Sequence, residues 1–344
     1  MNPSIVRNKP ASPLQEAGRG AASALLGELA AHGALSGSEL AARLGISRSA
    51  IWKQIERLRE LGLPIAAQAG SGYRLDAAID LLDAAEIKAA LTAIERRRVG
   101  ALEVHWQLDS TSSELLRRAA ADPRDLLVCL AEVQSAGRGR RGRSWRTPLT
   151  GGIALSLLKR FDAGMAPLAG LSLVVGLAVA QALADCGVDG VGLKWPNDLV
   201  VDAHKLGGIL VELGGDAIGP CHAVIGIGLN IRLDAAAASA IDQPWTDLAR
   251  LTAGAPAARN RIAARLVSRL IESLDRFNAE GFAAFADDYR RHDVLLGRQV
   301  TILRGQANEY GVARGVDERG ALRVAFADGE RSVESGEVSV RARA

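Results

Sequence analysis

Four arginines and three glycines are interleaved in one short stretch of this chain, which carries the strongest chemical signal in the sequence. The stretch reads Gln-Ser-Ala-Gly-Arg-Gly-Arg-Arg-Gly-Arg-Ser-Trp, from Gln134 to Trp145. Guanidinium groups bind phosphate or carboxylate through paired hydrogen bonds, and glycine lets the backbone close onto a ligand. Because the like charges repel one another, we expect a loop that stays mobile until it meets an anion.

A basic run more often marks a nucleic-acid-binding tail or a nuclear-localisation signal. This run, however, lies between Leu126–Val133 and Gly152–Leu158, two apolar stretches that predict buried strands. Because a tail seldom interrupts a folded sheet, this context favours a ligand-binding loop.

The composition is that of a globular protein with nearly balanced charge. The chain has 344 residues, enough for two or three domains, with 48% hydrophobic and 24% charged residues and a net charge of +3. So small a net charge predicts no general affinity for nucleic acid, and any basic surface must be local. The three cysteines and five histidines are scattered, which predicts no metal site and a reducing, cytoplasmic location.

Two segments need to be weighed as targeting or membrane signals. Residues 1–20 are polar, with prolines and charges, so we expect a disordered N-terminus without a signal peptide. Pro167–Ala184 is apolar and near the length of a membrane span, but Ser172 and Gln181 interrupt it and predicted strands surround it. It therefore predicts a helix buried against a sheet, and no membrane association is expected.

The first predicted domain, residues 21–80, has the dimensions of a winged helix-turn-helix. A helix at Ala21–Ala31 precedes a short helix at Glu39–Leu44, a break at Gly45 and a third helix at Arg48–Leu61. Two short strands predicted to form the wing follow, at Pro64–Ala69 and Gly72–Leu75.

The third helix favours DNA binding over a plain three-helix bundle. Its basic residues, among them Arg59, outnumber its acidic ones. A polar cluster lies at its N-terminus, the end that faces bases and phosphates in such folds. Trp52 is large for a groove-facing surface and could instead pack beneath the wing. The predicted DNA-binding residues are Ser47, Arg48, Ser49, Lys53 and Arg57.

The rest of the chain predicts a mixed α/β domain at residues 81–291 and a small β domain at 292–344. Long helices are predicted at Pro167–Ala184 and Arg259–Ala279, and the alternating pattern after Gly297 predicts a β-barrel or sandwich. The predicted strands are Leu102–Gln107, Leu126–Val133, Gly152–Leu158, Gly192–Trp195, Leu199–Val201, Leu206–Leu213, Ala223–Ile231, Gln299–Arg304, Ala321–Ala327 and Gly336–Val340.

Four further motifs accompany the arginine loop, and each has an ordinary structural explanation when taken alone. Asp109–Ser112 precedes the predicted helix Glu114–Ala120 and fits an N-cap. Lys194–Asp198 (Lys-Trp-Pro-Asn-Asp) would fix a lysine charge at a strand end, or form a surface turn. His204–Glu212 and Ile225–Asn230 are apolar strands with internal glycines, which mark either close approach of a ligand or backbone, or a bulge or sheet bend.

In order, spacing and residue identity, these motifs together resemble the biotin–protein ligases. The N-terminal module narrows the resemblance to the bifunctional type, a biotin–[acetyl-CoA-carboxylase] ligase that is also the biotin operon repressor. The resemblance covers nearly the whole chain after residue 20, including Ser335-Gly336-Glu337. It implies an α+β protein with an N-terminal winged helix-turn-helix, a central mixed α/β catalytic domain and a C-terminal SH3-like β-barrel.

The resemblance also implies an activity. Such an enzyme joins biotin to ATP, with Mg²⁺ accompanying the triphosphate, releases pyrophosphate and holds biotinyl-5′-adenylate. Biotin then passes to one lysine of the biotin carboxyl carrier protein of acetyl-CoA carboxylase. The adenylate-bound form is expected to pair as a homodimer through the central sheets and to repress biotin synthesis by binding operator DNA.

Site residues follow from the resemblance, motif by motif. The residues expected to bind biotin or its adenylate are Ser110, Thr111, Ser112, Gln134, Arg138, Gly139, Arg140 and Lys194. The family often has asparagine where this chain has the shorter Ser112. The expected catalytic residues are Lys194, Arg138 and Arg140, and the expected nucleotide-binding residues are Asn197, Lys205 and Asn230. Lys194 would lie between the biotin carboxylate and the α-phosphate, and Asp198 is a candidate for orienting the acceptor amine.

Two other functions remain open from the sequence. A lipoate–protein ligase shares the adenylation chemistry, although the arginine loop, the Lys-Trp-Pro-Asn-Asp motif and the winged helix argue against it. A transcription factor with an inactive ligand-sensing domain is the second, but it would need no phosphate-neutralising lysine.

Overall fold

The chain divides between Asp80 and Leu81 into two compact units. The structure is a computed structural model. It describes residues 13–344, apart from 69–71, 76–78, 234, 240, 242, 305–306, 335–337 and 343–344.

The described part of the first unit is a helix-turn-helix followed by two wing strands. Its elements are α1 (Pro13–His32), α2 (Gly37–Leu44), α3 (Arg48–Glu60), β1 (Ile65–Gln68) and β2 (Gly72–Leu75). Ser36 caps α2 through a capping box with Glu39. Gly45 ends that helix in the left-handed conformation, and Ser47 caps α3. The predicted helices and wing strands are therefore confirmed.

The N-terminus differs from the prediction. Helix α1 begins at Pro13, inside the stretch that was expected to be disordered, and residues 1–12 lie outside the described part of the chain. Residues 13–20 read Pro-Leu-Gln-Glu-Ala-Gly-Arg-Gly, in which proline suits the first turn and Leu14, Gln15, Glu16, Ala17 and Arg19 favour a helix, while Gly18 and Gly20 do not.

A third stretch of backbone joins the wing. Tyr73 of β2 exchanges backbone hydrogen bonds with Leu35, which precedes α2. Gly72 is required beside it, because a Cβ at this position would meet the Leu35 carbonyl oxygen at 2.1 Å. The predicted wing turn at Gly70-Ser71 lies outside the described residues.

The second unit begins with the mixed α/β region that carries the ligand motifs. Its elements are α4 (Ala84–Ala90), α5 (Ala93–Arg98), β3 (Ala101–Leu108), α6 (Thr111–Ala119), β4 (Leu127–Gln134), β5 (Gly152–Phe161), α7 (Leu171–Ala184), β6 (Gly192–Lys194), β7 (Asp198–Val201), β8 (His204–Gly215), β9 (Cys221–Asn230), α8 (Ala235–Ser239), α9 (Leu248–Leu251), α10 (Arg259–Glu280) and α11 (Ala286–His292). Over the described residues the strands form one sheet in the order β3-β4-β5-β9-β8-β7-β6. The β3–β4 pair is parallel, and the neighbouring pairs from β4 to β6 are antiparallel.

Helices cover both faces of this sheet. α7 and α10 pack together in the main core, while α6 packs on β4, β5 and β9 in a smaller cluster around Leu115. Nearly every residue of α7 is buried, which confirms the buried helix predicted at Pro167–Ala184. Among the helices described, none is long and apolar enough to cross a membrane.

The first residues of the second unit are fastened to the sheet by buried polar groups. The Leu82 N–H donates to one carboxylate oxygen of Glu132, and Arg259 donates to the other at 2.9 Å. Arg259 also donates twice to the Gly152 carbonyl. Asn260 accepts from the Asp83 N–H beside this pair. Removing one partner of the buried ion pair would leave an unpaired charge, at a cost of about 3–5 kcal/mol.

The second unit ends in an antiparallel sheet that matches the expected small SH3-like domain. Over the described residues its strand order is β13-β12-β11-β10-β14. These strands are β10 (Gln299–Arg304), β11 (Ala307–Val316), β12 (Leu322–Phe326), β13 (Gly329–Val333) and β14 (Val338–Ala342). The sequence did not predict β11 and β13. Ser335-Gly336-Glu337 lies outside the described residues.

The two sheets of the second unit meet at a tryptophan. The indole Nε1 of Trp195, directly after β6, donates to the Gly320 carbonyl at 3.0 Å, and the Trp195 side chain is buried. Gly320 lies in the turn before β12, and a Cβ on it would lie 2.8 Å from the Gly170 Cα, so this position has no room for a larger residue. The C-terminal sheet therefore fixes the residue next to Lys194.

Candidate active site

One cavity of about 490 Å³ in the second unit collects residues from every predicted ligand motif. The residues expected to bind biotin, adenylate or nucleotide that line it are Ser110, Thr111, Ser112, Gln134, Arg138, Gly139, Arg140, Lys194, Asn197, Lys205 and Asn230. Motifs separated by up to 120 positions in the sequence thus lie around a single space.

The floor of the cavity is built at the N-terminus of α6. Ser110 is the N-cap, with its hydroxyl oxygen 3.4 Å from the donating Ser113 N–H, so the helix starts three residues earlier than predicted. Gln134, at the end of β4, accepts through Oε1 from the Thr111 N–H at 2.9 Å. The parallel pairing of β3 with β4 brings these two strand ends together. Buried hydroxyl groups and the half-buried amide of Gln134 therefore line the cavity.

An ion pair outside the floor holds this turn. Arg117 donates to both carboxylate oxygens of Asp109, at 2.7 and 2.9 Å. These hydrogen bonds hold the pKa of the Asp109 carboxyl below its ordinary value. Asp109 also accepts from the Ser110 N–H, so it fixes the backbone that presents the hydroxyls.

The arginine loop folds back on itself. Backbone hydrogen bonds join Trp145 to Gly137 at 2.8 Å and Gly139 to Arg143 at 2.7 Å, around a single turn of 3-10 helix. Gly137 cannot be larger, because a Cβ on it would lie 2.3 Å from the Trp145 carbonyl oxygen. The predicted mobility of this loop in the absence of an anion stays a prediction.

Two arginines tie the loop to the sheet. Arg138 donates to Glu212 of β8 at 3.0 Å, and Arg140 donates to the Asn197 side-chain oxygen at 3.3 Å. Arg138 is largely exposed, and ion pairs at such sites contribute little stability, so this pair opens at small cost. Arg140 is half-buried, and loss of hydration lowers the pKa of its guanidinium, which nevertheless stays charged.

Lys194 ends β6 at the opposite wall of the cavity. It pairs in register with Asp198, and its carbonyl accepts from the Asn197 N–H at 3.2 Å. The Asn197 amide in turn donates to the Ile209 carbonyl at 2.8 Å. The Lys-Trp-Pro-Asn-Asp motif is thus a tight turn at a sheet edge that presents a lysine to the cavity, and the alternative of a surface turn is wrong for its lysine.

The predicted nucleotide side is held by polar groups that already have partners. Lys205 forms an ion pair with Asp198 at 2.6 Å. The Asn230 side-chain amide donates to the Thr246 carbonyl at 3.1 Å and lies 3.4 Å from the Lys205 carbonyl oxygen. Asn230 therefore fastens the segment before α9 to the sheet, in addition to lining the cavity.

Glycines in β9 make room for side chains of the site. A Cβ at Gly226 would lie 2.6 Å from Ser112 Oγ, and one at Gly228 would lie 2.3 Å from the indole of Trp145. The pairing of β9 is regular at both glycines, so they mark close approach of side chains rather than a bulge, and close approach of a ligand stays a prediction.

Several cavity residues were not predicted. Apolar strand residues and the segment between β9 and α9 carry no charge or motif that would single them out, and only the tryptophans stand out by type. These residues include Trp145, Ile209, Leu210, Ile227, Leu233, Ala237, Ile241, Trp245 and, from β14, Val340.

The predicted DNA-binding residues form a separate exposed surface in the first unit. Ser47, Arg48, Ser49, Lys53 and Arg57 are all exposed along α3 or at its N-cap. Two further residues of this helix were left open by the sequence. Trp52 is 55% exposed rather than packed beneath the wing. Arg59 donates to the Ile65 carbonyl and to Glu56, so it supports the wing.

Comparison with known proteins agrees with this arrangement. Residues 106–230 match the Biotin/lipoate A/B protein ligase family, residues 22–74 an HTH domain, and residues 295–341 the Biotin protein ligase C terminal domain. The bifunctional ligase/repressor BirA of Salmonella typhimurium is 38% identical over 306 residues, which cover 89% of this chain and 93% of that protein. The chain belongs to the biotin protein ligase family.

A second relative and a solved structure are similar to this biotin protein ligase over most of its length. The bifunctional ligase/repressor BirA of Escherichia coli is 38% identical over 287 residues, covering 83% of this chain and 87% of its own. Among solved structures, the biotin protein ligase from Aquifex aeolicus in complex with biotin and ATP superposes with a TM-score of 0.60. It is 27% identical and covers 71% of this chain and 100% of its own. The family and the three-part fold expected from the motifs are confirmed.

Proposed function

We propose that this biotin protein ligase converts biotin and ATP into biotinyl-5′-AMP and pyrophosphate. It then transfers the biotin to a lysine of the biotin carboxyl carrier protein of acetyl-CoA carboxylase. One observation carries the proposal: a hydroxyl-lined floor, a sheet-edge lysine and an arginine loop line the same cavity. The names of the relatives, which state a ligase and a repressor, support it.

The first step requires two anions to meet. An oxygen of the biotin carboxylate attacks the α-phosphorus of ATP, and pyrophosphate leaves. With the ring of biotin on the floor formed by Ser110–Ser112 and Gln134, the carboxylate would extend toward Lys194. Lys194 and Arg140 neutralise both reactants and stabilise the negative charge that develops in the transition state.

The arginine loop would protect the product. Biotinyl-5′-AMP is a mixed anhydride and is open to hydrolysis, so a loop closed over it by Arg138 and Arg140 excludes water. The weak contact between Arg138 and Glu212 can be exchanged for a ligand anion without loss of a strong interaction. Asn197, Lys205 and Asn230 would bound the nucleotide side.

Mg²⁺ would enter with the triphosphate rather than be held by the protein. Across the described residues, there is no group of three or more His, Cys, Asp or Glu side chains that could hold a metal. Mg²⁺ keeps several waters and commonly binds substrate phosphates, where it would offset their charge.

In the second step the neutral amine of the acceptor lysine attacks the carbonyl of the anhydride, and AMP leaves. Asp198 lines the cavity but already accepts from Lys205. To orient the amine it would have to release this partner, and the proton would then pass from the attacking nitrogen to its carboxylate.

The exposed face of α3 supplies the second function. In the proposed repressor the adenylate orders the arginine loop, and two copies of the chain pair through their central sheets. Two winged helices then bind the two half-sites of an operator that controls biotin synthesis. ATP-dependent chemistry, reduced cysteines and the DNA target together favour the cytoplasm.

Pyrophosphate release tests the activity. The protein is incubated with ATP and either biotin or lipoate. Release with biotin is expected. Release with lipoate instead would identify a lipoate–protein ligase, and silence with both would identify an inactive sensor. A gel shift on operator DNA, with and without biotin plus ATP, then tests the repressor function.

A further inference from the structure

One buried side chain directly behind the cavity floor has no part in the predicted site. Ser156, on β5, is fully buried, and its Oγ lies 2.8 Å from Thr111 Oγ1 and 3.0 Å from Ser112 Oγ. Both neighbours line the cavity, whereas Ser156 lies behind them. Its hydroxyl therefore acts on a ligand only through Thr111 and Ser112.

The direction of each hydrogen bond follows from Gln134. The backbone N–H of Thr111 can only donate, so the side-chain atom that faces it 2.9 Å away must be the carbonyl Oε1 of Gln134. The same oxygen lies 3.2 Å from the Thr111 hydroxyl, which must donate to it. With its proton used, the Thr111 oxygen accepts the proton of Ser156.

The same logic extends one residue further. A hydroxyl donates one proton and accepts at its lone pairs. Because the proton of Ser156 points at Thr111, its oxygen accepts the proton of Ser112. Ser112 therefore presents only lone pairs to the cavity. At the other end of this series of hydrogen bonds, the Gln134 amide nitrogen is a donor. The Ser110 oxygen already accepts from the Ser113 N–H, so the Ser110 hydroxyl proton remains for a ligand.

This pattern complements a cyclic urea, the ring system of biotin. A urea carbonyl needs donors, and each urea N–H needs an acceptor. In place of Ser112, an asparagine would bring its own carbonyl acceptor, whereas a serine hydroxyl rotates and becomes a fixed acceptor only when a partner takes its proton.

We propose that Ser156 is a positioning residue that sets the donor and acceptor polarity of the floor, and with it the selectivity for a urea N–H. The inference rests on the proposed function, since it takes biotin as the ligand. By accepting the Ser112 proton, Ser156 makes the Ser112 oxygen a fixed acceptor, which does the work of the asparagine carbonyl.

The test compares Ser156→Ala with the wild type in full-length protein. Loss of the partner should raise the KM for biotin roughly tenfold, the effect of one lost hydrogen bond, with kcat and the KM for ATP unchanged. Ser156→Thr keeps a hydroxyl and should restore the KM. Ser273→Ala removes another buried serine, in α10 and away from the cavity, and should have no effect.

Selectivity separates positioning from simple packing. The probes are the two cyclic carbamates in which one or the other urea N–H of biotin is replaced by oxygen. Wild-type protein should reject the one whose oxygen faces Ser112, because two acceptors then meet. In Ser156→Ala, Ser112 can turn and donate, so the ratio of kcat/KM for biotin to that for this carbamate should fall about tenfold.

An unchanged ratio in folded Ser156→Ala would overturn the inference, even if KM rises. Should that variant fail to fold, Ser112→Ala removes the same acceptor and must lower the ratio likewise, or the inference is wrong. If wild-type protein releases no pyrophosphate with biotin, the proposed function fails first, so the two failures are distinguishable.

Discussion

The chain presents positive charge to anions in two places, and it holds that charge in opposite ways. On α3, Arg48, Lys53 and Arg57 are exposed on a helix surface, where water and salt screen them. In the cavity, Arg140 and Lys194 are half-buried and fixed by a loop and a sheet edge. Charge acts more strongly there, because fewer water molecules oppose it.

The difference teaches what each site can recognise. An exposed row of cations binds a regular phosphate backbone through release of counterions, and its strength depends on salt. A partly dry cavity adds directed hydrogen bonds, which reject ligands of the wrong polarity. Under the proposed function, the same residue types therefore serve a polymer in one unit and a small molecule in the other.

Separating the two units is the most drastic test of this contrast. A protein that starts at Leu81 lacks α1–α3 and the wing but keeps every cavity residue and the anchors at Leu82 and Asp83. It should lose operator binding completely in a gel shift and still biotinylate the carrier protein. A protein that starts at Thr92 lacks those anchors and should be clearly less stable. Operator binding by the Leu81 version would show that the winged helix is not the DNA-binding surface.

Lys194→Ala should slow adenylate formation on the order of a hundredfold or more, because a fixed charge near the transferring phosphorus is lost. Pyrophosphate release measures the rate, and thermal unfolding checks the fold. Lys88→Ala removes an exposed lysine of α4 and serves as the control. Near-normal release by folded Lys194→Ala would remove the lysine from its role.

Arg140→Gly should loosen the loop rather than stop the chemistry. The variant loses the hydrogen bond to Asn197, so released biotinyl-5′-AMP should rise about tenfold and label lysines on unrelated proteins. Arg141→Gly makes the same change in charge and residue type and serves as the control. The φ of Arg141 is 57°, which suits glycine, so this variant should release no more adenylate than the wild type. Equal leakage by both variants would mean that any disturbance of the loop releases the adenylate, whatever Arg140 contacts. If Arg140→Gly labels only the carrier protein, the loop does not retain the adenylate.

The smallest predicted effect concerns salt. Each cation of α3 that contacts a phosphate adds about one to the slope of log affinity against log salt concentration. Lys53→Ala should therefore reduce that slope by about one for operator DNA, while the KM for biotin stays nearly independent of salt. Arg43→Ala, whose side chain pairs with Glu28, is the control. An unchanged slope would place Lys53 outside the DNA contact.

The residues that could be predicted are those with an unusual type at a fixed spacing. The arginine loop, the capped start of α6 and the lysine turn after β6 each combine charge, glycine or proline with a flanking apolar strand. Such local patterns do not depend on distant contacts. For the same reason the predicted bounds of α2 and α3 differ from the observed ones by at most two residues.

The features that could not be predicted are those that depend on the direction in which a side chain points in the fold. Ser156 lies in an apolar strand where nothing in the sequence shows that two other hydroxyls meet it. The strand β13 is exposed over most of its length, so it lacks the apolar alternation that marks β12. Trp52 looked like a core residue by type, yet only the fold shows that it shares the cationic side of α3.

The hydrogen bond from Trp195 to Gly320, together with Val340 in the cavity wall, has a consequence for protein synthesis. Domains fold largely in the order in which the ribosome releases them. The winged helix is complete once Leu75 has emerged, whereas the cavity lacks a support until position 320 and a wall until position 340. A nascent chain thus completes its winged helix well before it completes the cavity. A message cut short between those points would yield a winged helix without a complete cavity, and under the proposed function such a fragment could not respond to biotin.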